Sequence, residues 1–158
     1  MPSFEDDLAD IARLTEAEED DLGVRFRLLR ELLGQADLVS LHVPLNDSTH
    51  HLIGAGELAE MKAEAIMINT ARGPVIDEGA MYDALTSGKL AAAGLDVYDQ
   101  EPPDADNPLL ALDNIILTAH MAGPTQESNQ ARVRNAFDNV QRVNRGEAPL
   151  WVIPELAQ

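Results

Sequence analysis

Apolar positions in this chain fall into short unbroken runs that trade places with helical stripes. The run Ala65-Ile66-Met67-Ile68-Asn69 shows no alternation. That predicts a strand covered on both faces, as inside a parallel sheet. Asp37-Leu38-Val39-Ser40-Leu41-His42-Val43 predicts a second such strand, ended by Pro44, which cannot donate to a ladder. Residues 90–97 and 114–118 predict two more. Helical spacing fills the gaps. Leu28, Leu29, Leu32 and Leu33 repeat at that spacing up to Gly34, a fitting C-terminal stop. Residues 56–62 predict a short helix with Leu58 and Met61 inward. Asp77 caps a helix of about ten residues, with Met81, Leu85 and Tyr82 inward and Gly88 as its stop. A long helix runs from Thr125 to Arg145, with Val133, Ala136, Phe137, Val140 and Val143 as its apolar stripe. Val24-Arg25-Phe26 reads as a short edge strand, and the apolar tail Leu150-Trp151-Val152-Ile153 needs something to pack on. Strands alternating with helices specify βαβ units and a parallel sheet, hence the α/β class.

Composition narrows the partners. With 158 residues and 45% hydrophobic content, the chain can build one real core. It holds no cysteine, which excludes disulfides, thiol catalysis and cysteine zinc sites. The net charge is −17, from 28 acidic and 11 basic residues. Such a surface repels nucleic acid and anionic lipid. Lys62 and Lys89 are the only lysines, and this deficit beside the acid excess favours adaptation to a salty cytoplasm over a merely acidic soluble protein. No apolar run approaches the ~20 residues of a membrane span. The densely charged start does not read as a signal peptide, which points to the cytoplasm. Residues 1–21 form an acidic segment on which no structure is forced.

Candidate chemistry collects at strand ends. Arg72 follows the Ala65–Asn69 run, Asp96 ends the third strand with Glu101 just beyond, and His120 follows the fourth. Parallel neighbours would bring these groups to one edge of the sheet, where open α/β sheets bind ligands. The Arg72 guanidinium is a planar fork suited to a carboxylate. His120 can give or take a proton near neutral pH, and Glu101 can fix its tautomer. Each also has a plainer reading when taken singly. Arg72 could be a surface ion-pair residue, His120 a structural histidine, Glu101 part of the solvated loop with Asp99 and Asp104, and Asp96 a turn cap. The case rests on their falling at strand ends together. His42 reads as lining and His50-His51 as solvated, and no set of His, Asp and Glu has metal spacing. Gly54-Ala55-Gly56-Glu57-Leu58-Ala59 satisfies G-x-G-x-x-A, but its preceding strand ended ten residues earlier. The fingerprint must join a strand directly to a helix, so this match is a coincidence.

Four segments in order, Leu38-Val39-Ser40-Leu41-His42-Val43-Pro44-Leu45, Asn69-Thr70-Ala71-Arg72-Gly73, Gly94-Leu95-Asp96-Val97-Tyr98 through Glu101-Pro102, and Thr118-Ala119-His120-Met121-Ala122-Gly123, resemble the D-isomer-specific 2-hydroxyacid dehydrogenases. The resemblance spans roughly residues 22–153. It implies a Rossmann-like domain that binds NAD or NADP and transfers hydride between nicotinamide and a 2-oxo or 2-hydroxy acid. It implies that Arg72 binds the substrate carboxylate and carbonyl, that His120 is the acid, and that Glu101 is its partner. Asp96 would bond the nicotinamide carboxamide, and Thr70 and Ala71 would lie along the cofactor. Val43 and Pro44 would line the adenosine side, while Met121, Ala122 and Gly123 would close around the nicotinamide. The family usually has proline before the histidine, where this chain has Ala119. The resemblance also implies an incomplete copy, lacking the glycine-rich loop of the first βαβ unit and the substrate domain. Residues 22–123 would be the carboxyl-terminal part of the NAD(P)-binding domain. Residues 124–158 would be the return helix and tail that contact the absent domain. A homo-oligomer or a need for the missing half follows, as does an alternative: a non-catalytic remnant serving as an oligomerisation or binding module.

Overall fold

The computed structural model describes residues 14–150 and Val152. The beginning of the acidic segment, Trp151 and the last residues of the tail lie outside the described residues. Contacts divide the chain into two compact units, one ending at His120 and the other starting at Met121.

Among the described residues the first unit begins with helix α1 (Glu16–Leu22), capped by Thr15 and Glu18 in a reciprocal capping box. Helix α2 (Leu29–Gln35) leads into strand β1 (Leu38–Leu41). Helix α3 (Ala55–Glu60), strand β2 (Ile66–Asn69), helix α4 (Glu78–Thr86), strand β3 (Ala92–Leu95) and strand β4 (Ile115–Leu117) follow. The sheet is parallel throughout, in the order β1-β2-β3-β4. Register places Val39, Met67, Ala93 and Ile115 side by side, then Leu41, Asn69, Leu95 and Leu117. The core lies under this row: Met67 and Met81 are fully buried, with Leu33, Ile53, Leu58 and Val75 around them. Burying side chains of this size is worth ~1.5–3 kcal/mol each. The Asp77 carboxylate accepts the Ala80 N–H at 3.0 Å and starts α4, and Gly88, at φ 75°, takes the left-handed turn beyond its end.

Three expectations need correcting. Among the described residues the strands are buried more deeply on one face than on the other: Leu38 is 54% exposed and Ile116 73%, while Ile68 and the alternate positions of β3 are half-buried. Apolar residues occupy both faces, so the period of two is invisible in the sequence. Residues 24–26 are not a strand, because their backbone bonds turn to α1: Val24 N–H reaches the Glu19 carbonyl at 2.9 Å and Phe26 N–H its carboxylate at 3.2 Å. Gly34 lies inside α2 rather than stopping it. The helix ends at Gln35, and the extended Ala36 closes it by bonding the Leu32 carbonyl.

The second unit is built on helix α5 (Gln126–Asn144), capped by Thr125. Its C-terminal segment folds back on the helix. Asn139 bonds both backbone groups of Leu150, at 2.9 and 2.7 Å, and Arg142 Nε donates to the Ala148 carbonyl at 2.8 Å. Val133, Phe137, Val140 and Val143 are exposed. Among the described residues no helix is long and apolar enough to cross a membrane.

Candidate active site

The carboxyl end of β2 is built by Asn69, a buried polar side chain in an apolar run. Its Oδ1 accepts the Ala71 N–H at 3.0 Å and its Nδ2 donates to the Arg72 carbonyl at 2.9 Å. One amide therefore satisfies two backbone groups of the corner and fixes its course. Arg72 emerges in extended backbone, and its Nη1 donates to the Ala71 carbonyl at 2.6 Å. Gly73 follows, pressed against the next strand's exit. A Cβ there would stand 1.9 Å from the Tyr98 carbonyl carbon and oxygen.

The exits of β3 and β4 interlock. Asp96 is buried, and Thr118 Oγ1 donates to its Oδ1 at 2.5 Å. The Tyr98 hydroxyl donates to the Thr118 carbonyl at 2.9 Å, two residues before His120. Burial pushes the Tyr98 phenol above its ordinary range, and the charges of Asp96, Glu78 and Glu101 add to this. Glu101 lies between both exits. Its Oε1 accepts the Tyr98 N–H at 3.1 Å and its Oε2 meets His120 Nδ1 at 2.8 Å. The His120 bond holds the Glu101 carboxyl below its usual range. The Tyr98 N–H contributes next, and the Arg72 charge adds a smaller part. Opposite an ionised Glu101, the His120 Nδ1 is the nitrogen that donates across this bond. His120 itself has φ 54°, left-handed backbone that a side chain adopts only at a cost of ~1–2 kcal/mol. Such a conformation persists where surrounding bonds enforce it, which is common at reacting groups.

An open cleft of about 560 Å³ lies at the ends of β1 and β2, lined by His42, Val43, Pro44, Leu45, Thr70, Ala71 and Arg72. His42 Nε2 lies 2.9 Å from Ser40 Oγ, on the lining. The structure thus brings Val43, Pro44, Thr70, Ala71 and Arg72 to one cleft, and joins Asp96, Glu101 and His120 through Tyr98 and Thr118. Met121, Ala122 and Gly123 belong to the second unit. His50 and His51 stack with ring centroids 4.1 Å apart. Among the described residues no group of three His, Cys, Asp or Glu could hold a metal ion. Gly54, first glycine of the fingerprint match, gives its N–H to Glu57 Oε2 at 3.1 Å, and Ile53 before it makes an isolated bridge to Ile76 after a turn rather than ending a strand of the sheet.

Sequence reasoning assigned no role to Asn69, Gly73, Tyr98 or Thr118. A buried asparagine closing an apolar run was a readable signal. The other three act through contacts between separate strand exits and leave none.

Comparison with known proteins places the chain in a family. Residues 8–122 match the model of the D-isomer specific 2-hydroxyacid dehydrogenase, NAD binding domain. A glyoxylate reductase of Korarchaeum cryptofilum is 45% identical over 131 residues, covering 83% of this chain and 40% of that protein. A D-3-phosphoglycerate dehydrogenase of Methanocaldococcus jannaschii is 48% identical over 119 residues, covering 75% of this chain and 22% of that one. Among solved structures, D-lactate dehydrogenase with NAD+ from Lactobacillus jensenii superposes with a TM-score of 0.80 at 31% identity, covering 90% of this chain and 46% of that chain. The chain therefore spans less than half the length of these relatives. With residues 8–122 matched to that model and a Rossmann-like parallel sheet shared with these structures, the chain belongs to the D-isomer-specific 2-hydroxyacid dehydrogenase family.

Proposed function

We propose that this chain supplies the substrate-gripping arginine and the proton-transfer pair of an NAD(P)-dependent oxidoreductase that interconverts a 2-oxo acid and a 2-hydroxy acid. The Glu101–His120 pair carries the proposal: a 2.8 Å bond to an ionised carboxylate at a histidine held in left-handed backbone. The residues fit a dinucleotide. Val43 and Pro44 offer apolar surface to the adenosine side of the cleft, and Thr70 and Ala71 offer backbone along its floor. Asp96, at the β3 exit, offers a carboxylate to a carboxamide N–H, one of its oxygens being shared with Thr118. A bound nicotinamide supplies or accepts the hydride. Arg72 grips the substrate carboxylate with two parallel N–H bonds and leans on the neighbouring carbonyl oxygen. That oxygen gains negative charge as its carbon is reduced, and His120 Nε2 hands it a proton; in the reverse direction His120 takes the hydroxyl proton away. Glu101 keeps the imidazole in the needed tautomer and stabilises its cationic form.

Fluorescence titration of NADH and NADPH into the purified chain tests this, followed by turnover with hydroxypyruvate and glyoxylate. Saturable micromolar binding supports the enzymatic reading. Absence of both binding and turnover refutes it for this chain and leaves a binding or oligomerisation module.

A further inference from the structure

Glu78 is the first residue of α4, directly after the Asp77 cap. A glutamate there favours the helix dipole whichever way it points. Yet both of its oxygens leave the helix for one loop. Oε1 accepts the Asp99 N–H at 2.7 Å, and Oε2 accepts from Asn107 Nδ2 at 3.0 Å. Asp99 and Asn107 bracket the loop that carries Glu101. Asn107 is anchored in turn, its Oδ1 accepting the Leu109 N–H at 3.0 Å, and Leu109 is buried in the core. The loop is therefore tied at both ends by one side chain, with Glu101 between the ties.

The other side of Glu78 leads to Arg72. Helix α4 begins where the turn from Arg72 ends, and Gly73 in that turn lies against the Tyr98 carbonyl. The short piece of backbone at Tyr98 and Asp99 is thus held twice by the Arg72 segment, once by the Gly73 contact and once by the Glu78 bond. That same piece gives the Tyr98 N–H to Glu101.

We propose that Glu78 is a positioning residue: by tying Asp99 and Asn107 to the start of α4, it sets the Glu101–His120 pair in register with Arg72. This rests on the reading of Arg72, Glu101 and His120 as reacting groups. Glu78→Gln keeps the shape and one acceptor oxygen, so it breaks one tie; Glu78→Ala breaks both. The test is a pH titration of the Glu101 carboxyl carbon by NMR in the intact chain and both variants, with the buried Met67 and Met81 methyl signals reporting the fold. A loosened loop weakens the His120 and Tyr98 bonds that hold Glu101 down. Its midpoint then rises from wild type through Glu78→Gln to Glu78→Ala, by about half a pH unit or more in the last. Removing the Glu78 charge alone would push the midpoint the other way, so a rise reports lost positioning and not lost charge. An unchanged or lowered midpoint in Glu78→Gln with the methyl signals intact overturns the proposal, whether or not Glu78→Ala folds. A rise in a chain that binds neither NADH nor NADPH leaves the positioning intact and sinks the dehydrogenase reading instead.

Discussion

Gly73→Ala should be among the most damaging single-methyl additions to this chain. The new Cβ would lie 1.9 Å from the Tyr98 carbonyl carbon and oxygen and 2.5 Å from the Asp99 nitrogen. Ordinary contacts of this kind are ~3.5–4.0 Å, so one strand exit must retreat by about 1.5–2 Å. All three neighbours are backbone and have no rotamer to change. Retreat of Asp99 breaks its 2.7 Å bond to Glu78, and retreat of Tyr98 disturbs its bond to the Thr118 carbonyl. Overpacking costs ~1–3 kcal/mol, and a lost hydrogen bond to a charged acceptor adds ~1.5–3 kcal/mol. The sum of about 2.5–6 kcal/mol is a large share of the ~5–15 kcal/mol that stabilises a typical domain. Urea unfolding followed by circular dichroism measures it: with a slope of ~2 kcal/mol/M the midpoint falls by about 2 M. Gly56→Ala is the control. Gly56 lies in α3, and a methyl added there would meet nothing within 4 Å, so alanine should stabilise by ~0.5–1 kcal/mol. If Gly73→Ala unfolds within about 0.3 M of wild type, the interlock of the two strand exits is not as described.

Three other outcomes are expected. His120→Gln removes the proton donor and should lower turnover of hydroxypyruvate by ~10²–10⁴-fold in steady-state assays, and a loss under twofold contradicts its role. Arg72→Lys keeps the charge without the fork, so KM for the 2-oxo acid should rise more than kcat falls; the reverse split would show that the arginine acts elsewhere. Glu101 has a depressed folded-state value, so its bonds stabilise above its unfolded value of ~4.3 and are lost as pH falls through the folded value. Urea midpoints measured from neutral pH down to about pH 3 should show wild type losing an advantage over Glu101→Gln across that window. With its side chain 38% exposed, the advantage is at most about 1 kcal/mol.

Much of this molecule could be read from residue patterns. Asp77 and Gly88 marked a helix cap and a helix stop because each acts on the backbone beside it, and such chemistry is written locally, whereas β1 ends at Leu41, before the expected stop at Pro44. The four strand runs and the helices between them sufficed for a parallel α/β sheet. With the sheet came the expectation that Arg72, Glu101 and His120 lie toward one edge, since the carboxyl ends of parallel neighbours share it; the structure joins Glu101 to His120 directly and sets Arg72 in the cleft at the ends of β1 and β2. What failed was whatever depended on surroundings. The unequal burial of the two sheet faces was hidden because exposed Leu38 and Ile116 are as apolar as buried Val39 and Met67. The 24–26 segment has strand composition, but Glu19 takes its backbone bonds.

The residue types that could grip a carboxylate and move a proton are therefore set by the sequence, at positions fixed by strand length and order. Their mutual geometry is not. The 2.8 Å Glu101–His120 bond, the left-handed His120 and the Gly73 contact with Tyr98 exist only because separate strand exits meet in space. Asn69, Glu78, Tyr98 and Thr118 hold those exits together through residues up to 29 positions apart. No local propensity encodes a contact across that separation; it appears once the chain has closed on itself.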